Sequence, residues 1–290
     1  INGSNKADII YGLGGNDTIY AGKGNDKIYG GDGDDVIFCE EGNNRVEGGN
    51  GNDAINGSLT GRDTIYGGAG DDNILVYNKG NVDGGDDNDK ITVLGTNNTI
   101  QGGNGDDEIL VYNKSNLVHG GNDNDTIYVN GALNTVYGDD GDDIIYSRGE
   151  TNTIYGGNGD DEIHIGWDEN YNGNAERNIF AKHGTYNGGK GNDRYIIEDY
   201  DGTIDGVQAS PLGKAFITDS EGDDTIVYSR YDHTEIKFMI NFTKDGKIEN
   251  FSKYGYDMIA LNDYELNQTE STIECWNNDG GSYISASKLL

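Results

Sequence analysis

The stretch "GGDGDDVIF", residues 30–38, packs Asp32, Asp34 and Asp35 into four positions and follows them with one short apolar run. Like charges this close repel one another. Nearly the same nonamer returns as "GGNGDDEIL" at 102–110, so the crowding is something the chain repeats. Alignment on the pattern G-G-x-G-x-D-x-U-x, with U a large aliphatic residue, gives one nonapeptide after another from Gly3 to His164, with small slips in length. The U column runs from Ile10, Ile19 and Ile28 to Ile145, Ile154 and Ile163, and one slot fails around Val82 and Asp83. Turn-forming residues followed by a strand-like run, with one aliphatic per repeat, describe a coil whose short strands each point a single side chain inward.

Composition alone fits a disordered polyanion, since the 290 residues carry a net charge of −32, 48 Gly and only 33 % hydrophobic residues. The periodicity overrules that reading. Nucleic acid is excluded as a partner, because phosphate needs Lys and Arg, and 20 of these face 52 Asp and Glu. A cationic partner is implied instead. No apolar run has the length of a membrane-spanning helix, and the first residues, "INGSNKADIIY", lack the basic and apolar regions of a signal peptide. They begin inside a repeat, as expected of a module cut from a longer protein. Cys39 and Cys275 are too few for a disulfide framework and are expected as free thiols.

A nonapeptide of turn plus strand reverses direction once, so two of them complete a coil and alternate turns stack on opposite edges. The sixth position is therefore two columns. The first edge carries Asp8, Asp26, Asn44, Asp63, Asn81, Asn98, Asn116, Asn134 and Asn152. The second carries Asp17, Asp35, Asp53, Asp72, Asp89, Asp107, Asp125, Asp143 and Asp161. Parallel strands stack about 4.8 Å apart, and calcium takes oxygens at about 2.4 Å on either side, which spans the same distance. An Asp column at coil spacing is then a column of calcium slots, with glycines at positive φ turning backbone carbonyls toward each ion. Without the ion the column is a stack of repelling charges, so the acidic turns are expected to fold only with a dication between them. The second edge together with the Asp8/Asp26 pair predicts about nine ions, one per gap. Asn keeps the turn geometry, but its neutral amide does not offset a dication. The edge from Asn81 to Asn152 is therefore expected to be calcium-free and held by side-chain hydrogen bonds.

The nonamers "GGDGDDVIF", "GGNGNDAIN", "GGAGDDNIL", "GGNGDDEIL" and "GGNGDDEIH" resemble the haemolysin-type repeat of the RTX (repeat-in-toxin) family, over slightly more than half of the chain. The resemblance implies an all-β fold, a right-handed parallel β-roll, that binds several Ca2+ ions in its turns. It also implies export by a type I secretion system, with the chain unfolded in the calcium-poor cytosol and folded outside. By the same resemblance, carbonyls near the first four positions of each turn are ligands, as at Gly31, Gly33, Gly49, Gly51, Gly68, Gly70, Gly103, Gly105, Gly157 and Gly159. The chain departs from the family pattern where Asp87 and Asp123 replace the fourth-position Gly, where Cys39 replaces a first Gly, and along the Asn edge. Later segments, "GGKGNDRYIIED" at 188–199 and "DSEGDDTIVY" at 219–228, are similar to the degenerate repeats that close such arrays, with Asp193 and Asp224 at the calcium position. The family's uncleaved secretion signal lies at the extreme C-terminus, here about the last fifty residues.

Smaller signals have plainer explanations. "DENYNG" at 168–173 matches half of an EF-hand loop, with Asp168, Asn170 and Asn172, but Ile179 stands where the bidentate Glu belongs. Tyr20, Tyr29, Tyr66, Tyr128, Tyr137, Tyr146 and Tyr155 recur at position nine, as cross-strand stacking requires. His119, His164, His183 and His233 are scattered, and no H-E-x-x-H or G-x-S-x-G motif occurs, so no catalytic residue is assigned.

The expected organisation is a β-roll over 1–165, an irregular insertion over 166–187, degenerate repeats over 188–228 and a β-rich C-terminal cap over 229–290. The expected function is that of a non-enzymatic, calcium-driven module of a secreted bacterial protein. A part of an adhesin or surface-layer protein that binds a host surface, glycan or protein is a second reading. The tail of a toxin or enzyme is a third.

Overall fold

The computed structural model describes residues 1–166, residues 184–199, and strands within 203–286. It forms a parallel β-solenoid of about nine turns, with no helix among the described residues. The chain divides into two compact units, Ile1–Thr135 and Val136–Leu290.

In the first unit each coil gives one strand to each of two parallel sheets. One sheet runs from Asn2–Ser4 through Thr18–Gly22, Val36–Phe38, Ala54–Asn56, Asn73–Val76, Lys90–Val93 and Glu108–Val111 to Thr126–Val129. The other runs from Ile9–Gly14 through Lys27–Asp32, Arg45–Asn50, Arg62–Ala69, Lys79–Asp86 and Thr99–Asn104 to Leu117–Asn122. The aliphatic column explains the architecture. Ile19, Ile37, Ile55 and Ile74 lie in register on one wall, Ile28, Val46 and Ile65 on the other, and none is more than 1 % exposed. Each buried aliphatic contributes about 1.5–3 kcal/mol, and the in-register coil buries one from every repeat along both walls.

Two details differ from the sequence expectation. The empty slot of the U column is filled, since Val82 pairs in register with Ile65 and Ile100 and is 4 % exposed. The turn before it is one residue short, which places Gly80 opposite Asp63 and moves Asn81 out onto the strand, opposite Thr64 and Thr99. Nor does each strand bury a single side chain. The first sheet carries a second inward column, small at Ala21 and Cys39 and larger from Val76 through Val93 and Val111 to Val129.

In the second unit Ile144–Ser147, Glu162–Ile165, Arg194–Asp199 and Gly222–Arg230 pair in parallel, as do Thr153–Asn158, Thr185–Lys190 and Ala215–Asp219. Tyr186 and Tyr195, both fully buried, stand in this unit's aliphatic column opposite Ile154 and Ile163. Antiparallel strands follow. Glu235–Phe242 and Ile248–Tyr254 extend one sheet, and Ser271–Asn278 and Gly281–Ala286 the other. Residues 255–270 of the expected cap lie outside the described residues.

Outward tyrosines stack at the strand spacing, as cross-strand pairing requires. Tyr11 lies 4.9 Å from Tyr29, Tyr20 4.9 Å from Phe38, and, in the second unit, Tyr137 4.8 Å from Tyr155.

Candidate metal centre

The turns that enter the first sheet bring the Asp column together. In each turn the backbone N–H of the sixth-position Asp donates to Oδ1 of the Asp one coil further on. The distances are 2.7 Å from Asp17 to Asp35, 2.8 Å from Asp35 to Asp53, 2.7 Å from Asp53 to Asp72, 2.8 Å from Asp72 to Asp89, 2.7 Å from Asp89 to Asp107 and 2.9 Å from Asp107 to Asp125. In the second unit Asp143 donates to Asp161, Asp161 to Asp193 and Asp193 to Asp224, each at 2.9 Å. The degenerate repeats therefore continue the ladder across the 32 positions that separate Asp161 from Asp193.

One oxygen of each carboxylate is thus held in place. The other is buried with no hydrogen-bond donor at Asp35, Asp53, Asp72, Asp89, Asp107 and Asp161, all 2 % exposed or less. A buried carboxylate oxygen without a donor is costly unless a cation satisfies it. These oxygens lean over the first glycine of their own turn. A β-carbon on Gly48 would lie under 3.0 Å from both Asp53 Oδ2 and the Gly67 carbonyl oxygen, and the same two kinds of oxygen crowd Gly30, Gly67, Gly84 and Gly102. Carboxylate and carbonyl oxygens thus converge on a space that glycine alone leaves open. Gly48→Ala is expected to destabilise the calcium-loaded fold by about 3 kcal/mol through overpacking, measurable by thermal denaturation at saturating calcium.

The remaining predicted donors sit on turn backbone in the positive-φ region that glycine adopts freely. Gly31, Gly33, Gly49, Gly51, Gly68, Gly70, Gly103, Gly105, Gly157 and Gly159 all have φ between 115° and 140°. Asp87 and Asp123 adopt φ of 76° and 74° and so keep the turn where the fourth-position Gly is missing; Asp tolerates this region better than most residues. No group of three His, Cys, Asp or Glu side chains converges on one point among the described residues. The donor set is instead a file of carboxylates plus backbone carbonyls. Hard oxygen donors of this kind suit calcium and not zinc or copper.

The electrostatics agree. Burial first, then neighbouring carboxylates, pushes Asp53 and Asp107 up to about 6, Asp72 to about 7, and Asp89 and Asp161 to about 8, against the lowering effect of the backbone N–H. The metal-free column resists carrying its charge.

The first edge is built differently. Asp8 Oδ2 accepts from Ser4 N–H at 2.6 Å and Ser4 Oγ at 2.8 Å, and Asp63 accepts from Ser58 N–H at 2.6 Å and Ser58 Oγ at 2.9 Å. Serine thus supplies at Asp8 and Asp63 the donors that the second edge lacks. Asp26 alone among the Asp residues of this edge keeps a buried oxygen without a donor, and Ala21, not glycine, stands at the start of its turn. Asn44 closes the mixed gap by donating to the Cys39 carbonyl at 3.1 Å and to Ser58 Oγ at 2.9 Å. Further on, Asn98 N–H donates to Asn116 Oδ1 and Asn116 N–H to Asn134 Oδ1, each at 2.8 Å, and Asn98 Nδ2 reaches Asn116 Oδ1 at 3.0 Å. The amide edge is a ladder from backbone to side chain, with Gly80 as its break.

Cys39 is a free, buried thiol whose pKa is pushed well up by burial and then by Asp63 and Asp26. His164 stacks on Tyr146 at 4.2 Å and meets Glu162 Oε1 at 2.7 Å. Asp168, Asn170 and Asn172, like His183 and His233, lie outside the described residues. Among the described residues no helix is long and apolar enough to cross a membrane.

A parallel solenoid whose acidic turns stack donor-free carboxylates on glycine carbonyls defines a calcium-binding β-roll. Residues 2–37, 29–59, 58–76, 83–111, 119–153 and 137–171 match the RTX calcium-binding nonapeptide repeat, slightly more than half of the chain. The chain belongs to that family. It is also similar to the crystal structure of a hyperactive, Ca2+-dependent, β-helical antifreeze protein from an Antarctic bacterium, at 22 % identity and a TM-score of 0.46, over 67 % of this chain and 72 % of that one. No curated protein matches.

Proposed function

We propose that this module folds on meeting extracellular calcium, after export through a type I secretion apparatus, and thereby stabilises the secreted protein that contains it. One observation carries the reading: an in-register file of buried carboxylates, each with one oxygen fixed by a backbone N–H and the other without a donor. Such a file is unfavourable where calcium is scarce and favourable where it is abundant, which makes folding conditional on compartment. Sites formed by two successive turns couple their neighbours, so uptake of several ions, one per gap of the Asp ladder, is expected to be cooperative. The role is structural, with no catalytic step assigned to any residue.

Circular dichroism during calcium titration tests this, with Asp107→Asn beside the parent. The expected result is β-structure that rises steeply with calcium, and a midpoint about twofold higher for the variant, which keeps Oδ1 as acceptor and loses only the charge. An ordered fold in excess chelator, indifferent to the substitution, would refute it.

A further inference from the structure

The calcium edge carries two more Asx columns, outside the first and exposed. At the fifth position stand Asn16, Asp34, Asn52, Asp71, Asn88 and Asp106, and then Asn124. Each side chain accepts from the backbone N–H of the next turn. The distances are 3.1 Å for Asp34 to Asn16, 3.0 Å for Asn52 to Asp34, 3.1 Å for Asp71 to Asn52 and for Asn88 to Asp71, 2.7 Å for Asp106 to Asn88 and 2.9 Å for Asn124 to Asp106. This ladder runs in the opposite sense to the inner one, where each carboxylate accepts from the turn before it. At the third position a side-chain ladder joins Asn50 Nδ2 to Asp32 Oδ1 at 2.7 Å, and Asn104 Nδ2 to Asp86 Oδ1 and Asn122 Nδ2 to Asn104 Oδ1 at 2.6 Å each.

The three columns differ in where they place charge. The inner column of the first unit is Asp at every coil, and the fifth-position column alternates Asp with Asn throughout that unit. In the third-position column of the same unit no Asp follows another, since Asp32, Asn50, Ala69, Asp86, Asn104 and Asn122 succeed one another. Stacking a carboxylate on a carboxylate at strand spacing is unfavourable unless a cation lies between them. An unbroken Asp file therefore requires ions, and an alternating file is complete without them. Amide and carboxylate offer the same Oδ1 acceptor, so the alternation costs the ladder no hydrogen bond.

We propose that the outer columns are a metal-free strap of positioning residues. By this assignment, which rests on the calcium reading above, they hold successive turns at the pitch the inner carboxylates need, and calcium goes to the inner column alone. In the second unit Asp160 N–H donates to Asp142 Oδ1 at 2.8 Å and Asn192 N–H to Asp160 Oδ1 at 2.7 Å, so two carboxylates follow one another there and the strap is under more repulsion.

Three variants of the full chain test the strap, each read by calcium midpoint and by bound calcium per chain after equilibrium dialysis. Asp34→Ala with Asn52→Ala and Asp71→Ala removes three acceptors, and its midpoint is expected to rise about twofold with the number of ions unchanged. Asn16→Asp with Asp34→Asn, Asn52→Asp and Asp71→Asn exchanges two charges for two while keeping every acceptor, and is expected to match the parent. Asn52→Asp with Asn88→Asp fills the column with carboxylate and is expected to raise the midpoint without adding an ion. An added ion and a lowered midpoint in this last variant would show that the outer column binds metal and overturn the proposal. So would a parent-like midpoint for the alanine variant, or a lost ion in the exchanged one. If the alanine variant does not fold at any calcium level, the exchanged and filled variants still decide. Asp107→Asn run alongside keeps the readings apart, since a parent-like midpoint for it counts against the metal column and not against the strap.

Discussion

Replacing Asp72, Asp89 and Asp107 together by Asn should leave the protein unfolded at calcium concentrations that fully order the parent. Each amide retains the Oδ1 that accepts from the preceding turn, so the backbone ladder 53–72–89–107 loses none of its bonds. What disappears is three charges bordering four successive gaps, from Asp53 to Asp125. A site held at ten times its dissociation constant contributes about 1.4 kcal/mol, so four lost sites remove about 6 kcal/mol. That is comparable to the entire stability of an ordinary domain. Calcium titration followed by circular dichroism, with bound calcium counted per chain, should show a midpoint raised by more than about tenfold, or no transition at all, and about four fewer ions. A parent-like transition would mean that these carboxylates do not hold the metal.

Acid should replace calcium in part. Asp53 and Asp107 at about 6, Asp72 at about 7, and Asp89 and Asp161 at about 8 lie above the ordinary value of 3.8 because burial disfavours their charge. The metal-free fold then binds more protons than the unfolded chain. Its stabilisation by protons is complete below about pH 4 and is lost as pH rises through the 6–8 window. Metal-stripped protein is therefore expected to be least ordered at pH 8 and to gain β-structure on acidification to pH 5. With calcium present the dependence has the opposite sign, because protons compete for the same oxygens, and the calcium midpoint should rise as pH falls. Far-ultraviolet circular dichroism at the two pH values, with and without calcium, checks both halves. A metal-free spectrum identical at pH 5 and pH 8 would contradict the burial of free carboxylate.

The roll and its Asp column were legible because both rest on strict period. An aliphatic every nine residues has one way to be buried, and an acid every second repeat has one edge to stand on. Reading failed where length slipped or where a partner came from the turn's own fold. The single residue missing before Gly80 shifted Asn81 out of its column and hid Val82, which only the strand register restores. Ser4 and Ser58 satisfy Asp8 and Asp63 through turns whose shape the repeat does not encode, so Asp8 reads as a metal ligand although its donors are local. The second inward column was missed because it falls on the turn-ward side of the aliphatic, where residues as different as Ala21, Cys39 and Val76 occupy equivalent places. The outer Asx ladders stood at positions that the consensus leaves blank, although their alternation is visible in the sequence.

That second inward column also makes one stretch of the roll more deeply packed than the rest. From Val76 to Val129 each strand of the first sheet buries two branched aliphatics, whereas the coils around Ala21 and Cys39 bury one beside a smaller residue. The turns that follow Val93, Val111 and Val129 carry the amide ladder of Asn98, Asn116 and Asn134, which needs no ion to close. Nucleation is therefore expected in this stretch, and the slowest amide hydrogen exchange of the first unit with it.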